Sequence, residues 1–320
     1  MSQTDTDGVI VQSLAGMHVA NADMCGADLS GQDLAHAVFE GCDLSGANLR
    51  DAALEGTAFV RCKLQGTVFC GAGLDHTSFE ECDCSSADFS RTNLAACNFS
   101  ADRFEQTNFD NAVLTDCTGL AGHTFANCNL ASCYLANCDL GKARFDKCAA
   151  RLMLARDCKL TAAVFKNSDL SQMNCAGTPL ENAVFSQCIM EKTCFATCDM
   201  TGARFEQCTT DCLMLQGAKL AGASMPGHNL EKGMLCGADL SGADLSACNL
   251  AMADLSHARL DRTNLTRASL VYANAHGCQL SQANTTDANL RGLRTTDQEL
   301  YRAEQFKPRV IRETTWPRQM

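Results

Sequence analysis

The chain has 320 residues and a formal net charge of −11, with four prolines, three tyrosines and one tryptophan, Trp316. No run of 18 apolar residues occurs, which excludes an ordinary transmembrane helix. Met1 to Asp7 is polar and acidic with no secretory apolar core, so the expected compartment is the cytosol, where 22 cysteines stay reduced.

In chain order, residues 1–11 read as an N-terminal segment whose Val9-Ile10-Val11 is expected to cover the first coil. Residues 12–119 form a first repeat segment. From Leu14 to Leu114 a large apolar residue returns at every fifth position, as at Met24, Leu29, Leu34, Phe39, Leu44 and Leu49. Two positions earlier stands a small residue, usually Ala, Cys or Thr, and one position earlier often Asp or Asn. Ala27-Asp28-Leu29-Ser30-Gly31 and Ala238-Asp239-Leu240-Ser241-Gly242 are clean copies. A period of five fits neither a helix nor a plain strand, but it fits a chain that turns a corner every five residues. A second period of 20 links Phe39, Phe59, Phe79 and Phe99, then Phe125, Phe145, Phe165, Phe185 and Phe205. Twenty residues per coil means four sides, with equivalent residues stacked one strand spacing apart, ~4.8 Å.

This pattern strongly resembles the pentapeptide-repeat family, whose consensus is A(D/N)LXX, over about residues 12–292. The resemblance implies an all-β fold: a right-handed quadrilateral β-helix, or pentapeptide-repeat solenoid, with a short C-terminal helical tail. The central residue and the small one before it point inward. The rod is expected to have ~14 coils and to be ~65 Å long.

The register breaks once. Leu114 and Leu120 are six apart, so one extra residue lies within Thr115 to Gly119, as a bulge or kink. The second repeat segment, 120–292, follows. Met153 and Met173 are large at small-residue positions, but their centres, Ala155 and Cys175, are small. Asp102, His123 and His228 fall at inward positions and are expected to hydrogen-bond the backbone or to rotate slightly outward. Residues 293–320 form a basic tail. Thr296-Asp297-Gln298-Glu299 reads as a capping box for a helix over about Asp297 to Phe306 that covers the last coil.

Catalysis is not indicated. Fourteen cysteines sit at the inward small position, where cysteine acts as a small hydrophobe. No CxxC pair or other metal-ligand spacing is present, and no nucleotide or hydrolase motif, so no metal, cofactor or catalytic residue is expected. The seven histidines form no constellation in the sequence, and a filled rod offers no pocket.

Charge is uneven. Residues 1–119 hold 5 Arg/Lys against 18 Asp/Glu, residues 120–230 hold 10 against 9, and residues 291–320 hold 7 against 4. The acidic coils carry one net charge per ~2.3 Å, against one per ~1.7 Å in B-DNA. The resemblance extends here to Qnr-type quinolone-resistance proteins, which bind DNA gyrase as DNA mimics, but no single side forms an acidic stripe.

One side departs from the consensus. Its outward position before each centre reads Tyr134, Leu154, Asn174, Cys194, Met214 and Met234, with Leu152 and Cys212 at the adjoining corner and Ile189 on the next side. These eight apolar residues, Asn174 excepted, are the candidate partner-binding site, a strip ~25 Å long. The expected function is a non-catalytic protein-interaction scaffold. Chains of this length and Cys/Phe-rich style also resemble accessory proteins of bacterial type VI secretion systems. A DNA-mimic regulator of a type II topoisomerase and a secreted effector are the alternatives. The expected partners are proteins, not nucleic acid or membrane, and the resemblance implies a homodimer through the C-terminal tail.

Overall fold

The structure is a computed structural model that describes residues 13–305. Each five-residue unit turns because one residue, two past the apolar centre, adopts a left-handed backbone. Examples are Gly31 at φ 64°, His36 at φ 59° and Gly41 at φ 63°. In the extended stretch between corners, alternate residues share a face. The centre and the residue two before it therefore both enter the core, as Ala37 with Phe39 and Ala163 with Phe165, all fully buried.

Successive coils pair as parallel ladders. Phe39 lies beside Phe59, Phe59 beside Phe79 and Phe79 beside Phe99, always 20 residues on. One side can be followed along the rod through every twentieth residue from Asp23 to Arg103, then from Thr124 to Asn284, fourteen rungs in all. The fold is thus the four-sided parallel β-solenoid that the repeat implies. Inside it, phenylalanine rings stack at centroid distances of 5.3 Å for Phe39–Phe59 and 4.7 Å for Phe145–Phe165. The two phenylalanine series lie on different sides. Phe99 ends one stack and meets Phe104 edge-on at 5.5 Å, and Phe104 starts the stack that Phe125 continues.

The extra residue of the register break is Gly119. Thr118 still pairs with Asn98, and Gly119 then takes φ 81°. A Cβ there would stand 1.6 Å from the Phe99 carbonyl oxygen, so only glycine fits. Three sides cross the break with a spacing of 21, at Phe104–Phe125, Asn108–Asn129 and Val113–Tyr134. The fourth, from Thr118 to Asp139, carries no bridge among the described residues.

The outward Asp and Asn residues brace the corners. Asp28 Oδ1 accepts from Ser30 N at 3.1 Å and from Asn48 Nδ2, one coil on, at 3.0 Å. The C-terminal end of the rod departs from the sequence expectation. Val9-Ile10-Val11 lies outside the described residues, as do residues 306–320. The last coil is not regular, because a short 3-10 turn at Leu280–Gln282 replaces a corner. Helix α1 spans Gln298–Glu304, and its cap is Asp297, which accepts from Glu299 N and Leu300 N. Thr296, the expected cap, instead accepts from Gly277 N at 3.1 Å. Nor does α1 cover the final coil: none of its residues is buried, and Leu290 and Leu300 stay 41% and 51% exposed.

Candidate interaction surface

The side singled out by sequence is one ladder in the structure. Tyr134 pairs with Leu154, then come Asn174, Cys194, Met214 and Met234, rung upon rung. The residues of the strip, on this ladder, its corner and the next side, face outward. Leu152 is 50% exposed, Ile189 45%, Met234 40% and Leu154 39%. Cys212 is exposed, while Tyr134, Cys194 and Met214 are half-buried. The interior swap foreseen at Met153 and Met173 also holds, since both are fully buried.

Two features, shared with other non-consensus rungs of the rod, carry an energetic cost on this ladder. On regular rungs the same position holds an Asp or Asn that accepts the N–H two residues on, as Asn174 does from Ala176 at 3.1 Å. Cys194, Met214 and Met234 have no carboxylate or amide to make that bond, which is worth ~1 kcal/mol net. Leu152 and Cys212 take left-handed corners, φ 60° and 55°, where glycine and asparagine are favoured. Met252 and Tyr272, missed in the sequence reading, continue that corner at φ 56° and 58°, exposed to 47% and 53%. Their signal was present: both stand 20-residue steps along from Leu152 and Cys212.

The buried polar residues serve the backbone. At tight corners the inward residue's N–H bonds three residues back, as Ala143 N does to Leu140 O at 3.0 Å. At the wider corners the N–H turns instead to a side chain one coil on. Cys148 N donates to Ser168 Oγ at 3.0 Å, Cys82 N to Asp102 Oδ1 at 2.8 Å and Cys208 N to His228 Nε2 at 3.2 Å. Asp102 N donates to His123 Nε2 at 3.2 Å. The cysteines here are more than small hydrophobes. Their thiols donate to the carbonyl 23 residues back, as Cys62 to Phe39 O at 3.2 Å and Cys97 to Leu74 O at 2.9 Å. Thr57 makes the same bond to Leu34 O at 2.8 Å. Across the break the separation becomes 24, as in Cys138 to Leu114 O at 3.5 Å.

Asp102 is the strained member. Burial pushes its carboxyl up to about 7, against the pull of Cys82 N–H. Its Oδ2 is buried with no hydrogen-bond partner. Beside it the break opens a shallow groove of about 530 Å³, lined by Asp102, Arg103, Gly119 and His123. A second shallow groove of about 450 Å³ lies beside Cys208 and His228. The rod is therefore not wholly without hollows, but both are open depressions between corners.

The histidines also need correction, because two of them do meet. His276 Nε2 and His257 Nε2 lie 3.2 and 3.3 Å from Glu304 Oε2, and Tyr301 stacks near His257. Glu304 sits on α1, so repeat spacing could not reveal the cluster. Three such groups can hold a cation. However, His276 Nδ1 accepts from Asp297 N at 3.2 Å, which leaves its proton on Nε2, facing Glu304. A cation at Nε2 would force that proton against the Asp297 N–H. As built, the cluster is a hydrogen-bonded clasp that fastens α1 to the rod.

The pentapeptide repeat region model matches residues 14–89, and the pentapeptide repeats model matches 158–202, 215–251 and 248–292, together more than half of the chain. The chain belongs to the pentapeptide repeat family. No match was found among curated proteins. Similar solved structures include a trypsin-treated variant of QnrB1, a plasmid-mediated fluoroquinolone resistance protein. It is 14% identical over 89% of this chain and 93% of that one, with a TM-score of 0.32. HetL, involved in heterocyst differentiation regulation in the cyanobacterium Nostoc, is 20% identical over 88% and 90%, at 0.17. Rfr23 from the cyanobacterium Cyanothece is 18% identical over 55% and 88%, at 0.16. Membership rests on the repeat, not on these superpositions. No helix among the described residues is long and apolar enough to cross a membrane.

Proposed function

We propose that this pentapeptide repeat protein is a non-catalytic interaction scaffold that binds protein through the face built on Leu154, Met214 and Met234. The observation that carries this reading is the exposed apolar ladder, set where the fold itself favours Asp or Asn. An apolar surface that the interior does not require is the usual mark of a binding face. Methionines at its centre suit an adaptable contact. The proposed setting is a bacterial type VI secretion system, with the chain as an accessory protein; a secreted effector is the alternative.

The test is Leu154→Glu combined with Met214→Glu, with circular dichroism as the fold control. Loss of partner capture from cells of the native host supports the reading, and undiminished capture by the folded variant contradicts it.

A second reading, a DNA mimic acting on a type II topoisomerase, draws on the acidity of the first coils. Several of those carboxylates are already engaged. Asp43 pairs with Lys63 at 3.0 Å, Glu40 pairs with Arg61, and Asp83 and Asp88 accept backbone N–H groups. That leaves a broken pattern of free charge, so this reading ranks second. Absence of both gyrase inhibition and drug protection at micromolar protein would remove it.

A further inference from the structure

The geometry points to a second copy of this chain as an occupant of the apolar face, with the two rods antiparallel about a two-fold axis. This inference rests on the scaffold reading above and adds the partner.

The six rungs run Tyr134, Leu154, Asn174, Cys194, Met214, Met234. Reversing that order lays Leu154 on Met214 and Tyr134 on Met234, about a centre between Asn174 and Cys194. A two-fold axis lying in the face, parallel to the strands, produces this pairing and sets each border of the face against its own copy. The charges on the borders then decide whether the pairing is tolerable.

On the corner border the rungs read Ala131, Arg151, Ser171, Glu191, Asp211, Glu231. Reversed, Arg151 meets Asp211 of the second copy and Asp211 meets Arg151. Glu191 meets Ser171 and Glu231 meets Ala131. Arg151 and Asp211 are exposed, and Arg151 is in no ion pair among the described residues. Alongside, Leu152 meets Cys212, and Lys192 and Lys232 meet Gln172 and Ser132.

On the opposite border, small residues at Ala136, Ala176 and Ala196 allow close approach. Arg156 meets Gln216 there. Gln216 donates through Nε2 to Met234 Sδ at 3.1 Å, but its Oε1 is buried with no hydrogen-bond partner. A guanidinium is the donor that this amide lacks, and a small swing of the amide presents it. No rung brings like charges together. The other two-fold, along the rod, would set Arg151 against Arg156 on the same rung. Charge therefore selects antiparallel over parallel.

A face ~25 Å long and roughly 15 Å wide covers on the order of 800 Å² from the two copies together, below the size of standard stable interfaces. Self-association through a face of this size is expected to be weak and reversible.

Sedimentation of the full chain, from about 1 to 200 µM at low salt, tests this. The expected result is a concentration-dependent dimer. Arg151→Asp and Asp211→Arg should each weaken it about tenfold or more, and the two together should restore it to within about threefold. Leu154→Glu should abolish it. Every one of these residues is outward, so circular dichroism should be unchanged. A monomer at all concentrations overturns the inference, as does a dimer indifferent to these changes or a double swap without rescue. If the chain is monomeric while Leu154→Glu with Met214→Glu still abolishes capture of another protein, self-pairing fails and the scaffold reading stands. If neither effect is seen, both fall.

Discussion

The coils before Gly119 and those after it have the same interior and different exteriors. Phe59 and Phe165 are both fully buried centres of their units, and Cys62 and Cys148 make the same backbone bonds. Outside, Asp28 and Asp43 brace early corners as Asp239 and Asp244 brace late ones, but only the later coils stack Leu154, Cys194, Met214 and Met234 unbraced on one face. The interior is fixed by packing and by ladder geometry, so selection for a particular contact can act only on the outside. What a pentapeptide rod does has to be sought in outward positions that break the consensus.

The join between the two regions gives the largest expected effect. Gly119→Ala drives a Cβ into the Phe99 carbonyl at a left-handed φ. Roughly 3 kcal/mol or more of stability should be lost in urea unfolding. A loss below ~1 kcal/mol would mean that the break is pliable rather than a fixed joint.

The next effect is a pH dependence from Asp102. Its folded pKa is raised to about 7 from the ordinary 3.8, so the folded state holds a proton that the unfolded state releases. Stability therefore falls as pH rises from about 4 to about 7 and is flat above. Asp102→Asn keeps an acceptor for Cys82 N and cannot ionise. It should remove this slope and stabilise the protein at pH 8 by roughly 2–4 kcal/mol. Identical pH profiles for the two proteins would contradict the role given to burial.

Cys148→Ala removes both a donor to Phe125 O and a thiol from a wider corner, and should cost roughly 1–3 kcal/mol. Cys148→Ser should cost less, since Ser168 already fills the equivalent site one coil on. Equal losses would return these cysteines to the status of small hydrophobes. The smallest global effect is expected from Glu304→Gln. It loosens the clasp on His257 and His276, so amide exchange should quicken across Gln298–Glu304 and nowhere else.

Most of the fold was legible because five-residue and 20-residue periods leave no other closed geometry. The strip was legible as well, since outward positions follow from the same count. The clasp was not, because Glu304 reaches the rod from a helix outside the repeat. The placing of the break at Gly119 was not, because a six-residue gap says that a residue is extra but not which one. The thiol bonds to carbonyls 23 residues back were hidden because cysteine and alanine look alike in a volume pattern. The helix cap fell one residue late because Thr296 was drawn away by Gly277.

The contrast between the two regions is tested most directly by methionine oxidation. Met17, at the acidic end, is 50% exposed, and Met234, on the apolar face, is 40% exposed. In dilute purified protein the two should oxidise at similar rates. In extracts of the native host, Met234 should be protected and Met17 should not. Equal oxidation of both in the extract would contradict the assignment of that face as a binding surface.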